Sequence, residues 1–195
     1  MLDAYYKKDI AYRYRNTDLR FAVGHTLFSS FDIDHGTDVF LRSLEPANAA
    51  TILDLGCGYG PIGICLAKAY PEARVVMADK DLLALRYARH NLRLNGLDEA
   101  AGRVSVFGSV GTESVPDLPY TLICSNVPAK IGDAAIEEEF VLQPYARLAP
   151  GGEYWFVIVS ALNHLIPRLG TKHELHLREV RKRSGHSVYR LVKPA

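Results

Sequence analysis

Thr51-Ile52-Leu53-Asp54-Leu55 is a short apolar run that passes directly into Gly56-Cys57-Gly58-Tyr59-Gly60 and then into residues 61–70, PIGICLAKAY. A brief apolar run bounded by glycines reads as a buried strand, and the stretch after it reads as a helix stopped by Pro71. Strand, glycine turn and helix in immediate succession restrict the chain to layered α/β architectures. The alternation continues downstream. Residues 74–78 (RVVMA) predict a strand and 82–94 a helix ended by Asn95-Gly96, and residues 103–107 and 120–125 predict two further strands. Residues 134–148 predict a helix with Glu137, Glu138 and Glu139 near its start and Arg147 near its end, as the helix dipole favours. Pro150-Gly151-Gly152 then turns the chain into a strand at 153–159 (EYWFVIV). A weaker helix follows, and residues 175–182 pair with 187–192 across Ser184-Gly185-His186 as an antiparallel hairpin. Right-handed crossovers then predict a doubly wound, seven-stranded, mostly parallel sheet with a C-terminal antiparallel hairpin.

A length of 195 residues predicts a single domain, with 1–50 as an extension over the cleft and 51–195 as the core. Hydrophobic residues at 48% and charged residues at 23% exclude wholesale disorder. Apolar runs such as 155–159 are too short to span a bilayer, and Met1-Leu2-Asp3-Ala4 opens no signal-peptide core. Cys57, Cys65 and Cys124 predict buried thiols in a reducing cytoplasm. The seven histidines, including the close pair His173 and His176, show no ligand spacing, so no metal is expected.

Net charge is only +1, but its distribution is uneven. Residues 163–195 carry eight Lys/Arg against Glu174 and Glu179, residues 1–20 are also basic, and the middle is acidic. Basic ends suit an anionic partner; alternatively, Arg181-Lys182-Arg183 protects an edge hairpin from strand-to-strand aggregation. Tyr5-Tyr6-Lys7-Lys8 and Tyr12-Arg13-Tyr14-Arg15 interleave rings with cations. That composition suits looped or single-stranded RNA, and equally an amphipathic segment covering the sheet.

Ligands of open α/β sheets bind beyond the carboxyl ends of the strands, which is where Asp54 to Gly60 fall. Glycines there let the backbone turn sharply and approach a ligand. A dinucleotide fingerprint is G-x-G-x-x-G; here the third glycine comes one position early and an acid precedes the first. A carboxylate suits a ligand carrying an ammonium group and repels a pyrophosphate. Asp79, at the end of the second strand, is placed to accept both hydroxyls of a ribose or to serve a helix start together with Asp81.

With these residues in place, the sequence resembles the class I S-adenosylmethionine-dependent methyltransferases, which have a Rossmann-like core. Within them it resembles the small methyltransferase-domain family, whose members modify ribosomal RNA guanines at the exocyclic amine. The resemblance covers nearly the whole chain: Phe28-Ser29, Asp34-His35-Gly36-Thr37, the DLGCGYG loop, Ala78-Asp79, residues 91–96, Ser125-Asn126-Val127-Pro128 and Tyr189-Arg190-Leu191. It implies S-adenosyl-L-methionine as cofactor, with Asp54, Gly56, Gly58 and Gly60 at its methionine end and Asp79 at its ribose. Gly36 and Thr37 would close over the amino-acid moiety, with Cys57, Lys80 and Asn126 completing the cofactor set. Gly108-Ser109 stand where the family supplies an acid to the adenine amine; Ser109 would offer one hydrogen bond in its place.

The resemblance also implies that Asn126, Val127 and Pro128 are catalytic, in the position of the family's N-P-P motif. An exocyclic base amine is a poor nucleophile because its lone pair is delocalised. An Asn oxygen and a backbone carbonyl that accept its two N–H bonds polarise and aim it. Here Val127 replaces the first proline, which should loosen the turn, and Ala129 stands where an aromatic would stack on the base. Asn126 alternatively only turns the chain after a strand. Lys130 fits a phosphate contact or a solvated loop. The expected function is methylation of an RNA base amine, with ribosomal RNA as partner. The alternatives are a protein glutamine amide or small-molecule amine as acceptor, or a non-catalytic cofactor-binding protein that binds RNA or assists assembly.

Overall fold

The computed structural model describes residues 4–29 and 31–195. Their strands form two sheets. A separate antiparallel hairpin consists of β1 (Tyr6–Tyr14) and β2 (Thr17–Gly24). The main sheet has seven strands: β3 (Thr51–Leu55), β4 (Arg74–Asp79), β5 (Val104–Gly108), β6 (Tyr120–Asn126), β7 (Leu148–Val159), β8 (Leu177–Arg183) and β9 (His186–Val192). Their spatial order is β5-β4-β3-β6-β7-β9-β8. The first five in that order run parallel, and β9 joins β7 and β8 antiparallel. This is the expected mostly parallel sheet with a C-terminal hairpin.

Alternate residues of the central strands serve opposite layers, so the apolar runs are continuous, as strands covered on both faces require. Ile52, Val75, Met77 and Cys124 face a layer that includes α1 (His35–Ser43), α2 (Pro61–Ala69) and α3 (Leu82–Leu94). Leu53, Val76, Ile123 and Phe156 face α4 (Asp133–Glu137), α5 (Gln143–Arg147) and α6 (Leu165–Lys172). Strand order reverses between β3 and β6, and that switch point opens a crevice at their carboxyl ends.

Three local expectations are corrected. The helix predicted over 134–148 is broken between α4 and α5 by a π-helical turn, Glu138–Leu142, which places Phe140 under the glycine loop. Pro150-Gly151-Gly152 does not end a turn before the strand but lies within β7, where Gly151 N–H donates to Lys193 O. The tyrosine- and lysine-rich N-terminus is not a segment laid over the main sheet: it is the β1–β2 hairpin, packed against α2 and α3.

Asn91 on α3 and Asn95 at its C-cap, one turn apart, bind that hairpin through its backbone. The Asn91 amide accepts from Ala22 N–H (2.7 Å) and donates to Ala22 O (3.0 Å) and Tyr59 O (2.8 Å). The Asn95 amide repeats the exchange at Arg20, accepting from its N–H (3.0 Å) and donating to its carbonyl (2.7 Å). Two side chains at helical spacing thus present β2 with the donor–acceptor pattern of a neighbouring strand.

Candidate functional site

The chain leaves β3 through Gly56, Gly58 and Gly60, all with positive φ (72°, 55° and 99°), a backbone path open to glycine and costly for other residues. Gly56 and Cys57 N–H both donate to Ala78 O, which binds the loop to the end of β4. Gly63 allows α2 to press on the sheet, since a Cβ there would lie 2.6 Å from Met77 Cγ.

Asp54 is fully buried. Its Oδ2 accepts Gly63 N–H at 2.7 Å, while Oδ1 has no partner among the described residues. Burial pushes its carboxyl up to about 7; the Gly63 bond opposes the rise and the Asp79 charge adds to it. An unpartnered carboxylate oxygen under a glycine loop is the arrangement a cationic ligand would relieve.

Asp79 has two structural duties. Its Oδ2 accepts Gly58 N–H (2.8 Å) and Oδ1 accepts Asp81 N–H (2.9 Å), leaving further lone pairs at the rim. The cap of α3 is Asp81, which accepts from Leu83 and Ala84 N–H. Burial pushes the Cys57 thiol well above its ordinary range, and all three cysteines are free and buried.

Across the crevice, Asp34 caps α1 by accepting Thr37 N–H at 3.0 Å. Asn126, at the end of β6, donates through Nδ2 to Asp34 Oδ2 (2.8 Å) and Thr37 Oγ1 (3.0 Å). Both amide hydrogens are therefore engaged, and Oδ1 remains the free acceptor of that side chain. Val127 N–H donates to Val157 O at 3.0 Å and its side chain is buried, so the turn is anchored where the sequence suggested loosening. Ala129 packs against the second core layer.

A cavity of about 180 Å³ brings these elements together; Asp34, Thr37, Gly56, Cys57, Gly58, Asp79 and Asn126 all line it. Other expected residues lie behind or beside it. Asp54, Gly60 and Gly36 support the lining, a Cβ at Gly36 meeting His186 at 2.7 Å. Lys80 is exposed and does not border the cavity. Ser109 does not fill the adenine-binding part expected of it: its hydroxyl donates to Gly111 O (3.0 Å), accepts Ser114 N–H (3.0 Å) and stays outside the cavity.

Two residues that carry the resemblance without an assigned role also stand here. Asp34 carries a legible signal, an Asp three positions before Thr37 at a helix start. Phe28 lines the cavity yet is 73% exposed, and Phe31 beside it is 75% exposed with Lys7 Nζ 3.0 Å above its ring. Two phenylalanines in a short polar stretch were the available sign. Among the described residues no group of His, Cys, Asp or Glu is arranged to hold a metal ion, and no helix is long and apolar enough to cross a membrane.

The chain is 35% identical over 139 residues to the Ribosomal RNA small subunit methyltransferase C of Pasteurella multocida (strain Pm70), covering 70% of this chain but 40% of that protein. It is 30% identical to Uncharacterized protein YbxB of Bacillus subtilis (strain 168), covering 78% of this chain and 74% of that one. Among solved structures it superposes on the T. Thermophilus 16S rRNA N2 methyltransferase RsmC in complex with AdoMet and guanosine, with a TM-score of 0.81 at 23% identity. That match covers 99% of this chain and 52% of the other, and it establishes the shared fold. The family model described as Methyltransferase small domain matches residues 18–190, and the chain belongs to that family.

Proposed function

We propose that this protein transfers a methyl group from S-adenosyl-L-methionine to the exocyclic amine of an RNA guanine, in ribosomal RNA. The observation that carries the reading is the fixed amide of Asn126: with both hydrogens held by Asp34 and Thr37, its oxygen stands at the cavity as an acceptor. The relatives named Ribosomal RNA small subunit methyltransferase C support the acceptor class.

The residues present fit the cofactor. Asp54, with its unpartnered Oδ1, would answer the positive charge, while Asp79 would take the ribose hydroxyls. Gly56, Cys57 and Gly58 would line the methionine end together with Thr37 and Asn126, supported by Gly36 and Gly60. When bound, the cofactor supplies an electrophilic methyl on a sulfonium. Asn126 Oδ1 and the Val127 carbonyl would accept the two amine N–H bonds and orient the nitrogen lone pair. Pro128 presents no competing N–H, and the Val127–Val157 bond holds the peptide in place. Phe28, exposed at the rim, offers a face on which a base can stack. The reading takes the protein as one domain, with residues 1–50 reaching over the cleft of the 51–195 core, acting in the cytoplasm.

Incubation with labelled cofactor and total RNA from an undermethylated source, followed by nucleoside analysis, tests this. Label is expected in a guanine methylated at its amine. Asn126→Ala should lower turnover by about a hundredfold or more while retaining cofactor affinity. Label in protein and none in RNA would overturn the acceptor assignment.

A further inference from the structure

A second concavity, of about 290 Å³, lies one residue along the chain from Asp34. Helix α1 contributes His35, Asp38, Val39 and Arg42, spaced to fall on one helical face, and β8 contributes Arg181 and Arg183. A bulge in β8 puts the two arginines there. Before it, Leu177 and Glu179 pair with Leu191 and Tyr189, which face the α6 layer. The register shifts between Glu179 and Arg181, and Arg181 then pairs with Val188, which faces the α1 layer, and Arg183 with His186, whose ring is 5.6 Å from that of His35. An unbroken strand would have turned both arginines to the other side.

The charges in this pocket do not cancel. Asp38 is satisfied by Arg42 Nε, 2.9 Å from both its oxygens, and by Tyr12 OH at 2.9 Å. Arg181 and Arg183 have no side-chain partner among the described residues. Two free guanidinium groups line one concavity with His35, the chain neighbour of Asp34, which lines the cavity that holds Asn126. Guanidinium groups match phosphate geometry and bind it bidentately.

We propose that this pocket holds a phosphodiester of the RNA strand whose base enters beside Asn126; the proposal rests on the RNA reading above. Arg181 and Arg183 grip the backbone and set the strand's register, and the base site beyond Asp34 selects the nucleotide.

The test uses the full chain and fluorescence anisotropy of a labelled RNA hairpin with a guanine-containing loop, across a salt series. The double variant Arg181→Gln/Arg183→Gln should weaken binding about fivefold or more near 0.15 M salt. It should also flatten the plot of log affinity against log salt by about 0.7 for each phosphate released. Lys182→Gln, which alters the opposite side of the same strand, should change affinity less than twofold, and cofactor affinity by calorimetry should stay constant in both. Unchanged RNA affinity in the double variant, or an equal loss in Lys182→Gln, overturns the pocket and leaves the methylation reading intact. No RNA binding by the unsubstituted chain overturns both. Loss of binding to anionic phospholipid vesicles in the double variant, with RNA binding untouched, overturns the pocket in favour of a lipid headgroup.

Discussion

Asp54 illustrates how a single residue can serve binding at the expense of stability. Its folded-state value of about 7 lies above the ordinary 3.8, so its contribution to stability is fully present below about pH 4 and lost as pH rises through 7. A bound cation favours the ionised carboxylate, so cofactor affinity should move the other way. Calorimetry between pH 5.5 and 8 is expected to show tightening that approaches tenfold per pH unit below 7 and then levels off. Asp54→Asn keeps an acceptor for Gly63 N–H and removes the buried charge. It should melt no lower than wild type at pH 8 while losing more than tenfold in cofactor affinity along with the pH dependence. Wild-type affinity in that variant would sink the assignment of Asp54.

The hairpin is held to α2 and α3 by the buried side chains of Leu19, Phe21 and Val23 together with two asparagines. Asn91 is fully buried and binds Ala22 on β2 and Tyr59 in the glycine loop, so hairpin and loop share one support. Asn91→Ala leaves buried backbone groups unpaired at both places. A loss of about 2–4 kcal/mol is expected in denaturant melts, with faster amide exchange at Ala22 and weaker cofactor binding. Cofactor affinity equal to wild type would separate the two supports. Asn91 and Asn95 were visible in the sequence within the residue 91–96 stretch, but their use as a surrogate strand edge was not. Helical periodicity shows that they share a face; it does not show what lies opposite.

At the scale of the molecule, Glu153 ties the sheet to the chain that enters it. Buried in β7, it accepts from Arg190 on β9 (2.7 and 3.1 Å), from Trp155 Nε1, and from Ala47 N–H at 3.2 Å. Burial opposes its ionisation, but the bonds from Arg190, Trp155 and Ala47 together hold its carboxyl below the usual 4.5. Its stabilisation is therefore present above about pH 4.5 and lost as pH falls below it, the reverse of Asp54. Glu153→Gln should lower stability by about 3 kcal/mol at pH 7, and the gap from wild type should close on acidification. A constant gap from pH 7 to pH 3.5 in urea melts would show that the charge is not the cause.

Order along the chain was enough for the sheet, because apolar runs, glycine turns and helix stops are local signals and right-handed crossovers leave few ways to join them. The glycine loop with its acid was legible for the same reason: the backbone path it follows depends on Gly56, Gly58 and Gly60 themselves. What only the tertiary structure decided was convergence. Asn126 meets Asp34 and Thr37 across separations of 92 and 89 residues, and no periodicity carries contacts over such distances. Ser109 was placed near the cofactor by its position at a strand end, yet its hydroxyl turned to its own loop. The side of the sheet on which Arg181 and Arg183 stand was set by one bulged residue, a register decision made by the partner strand β9.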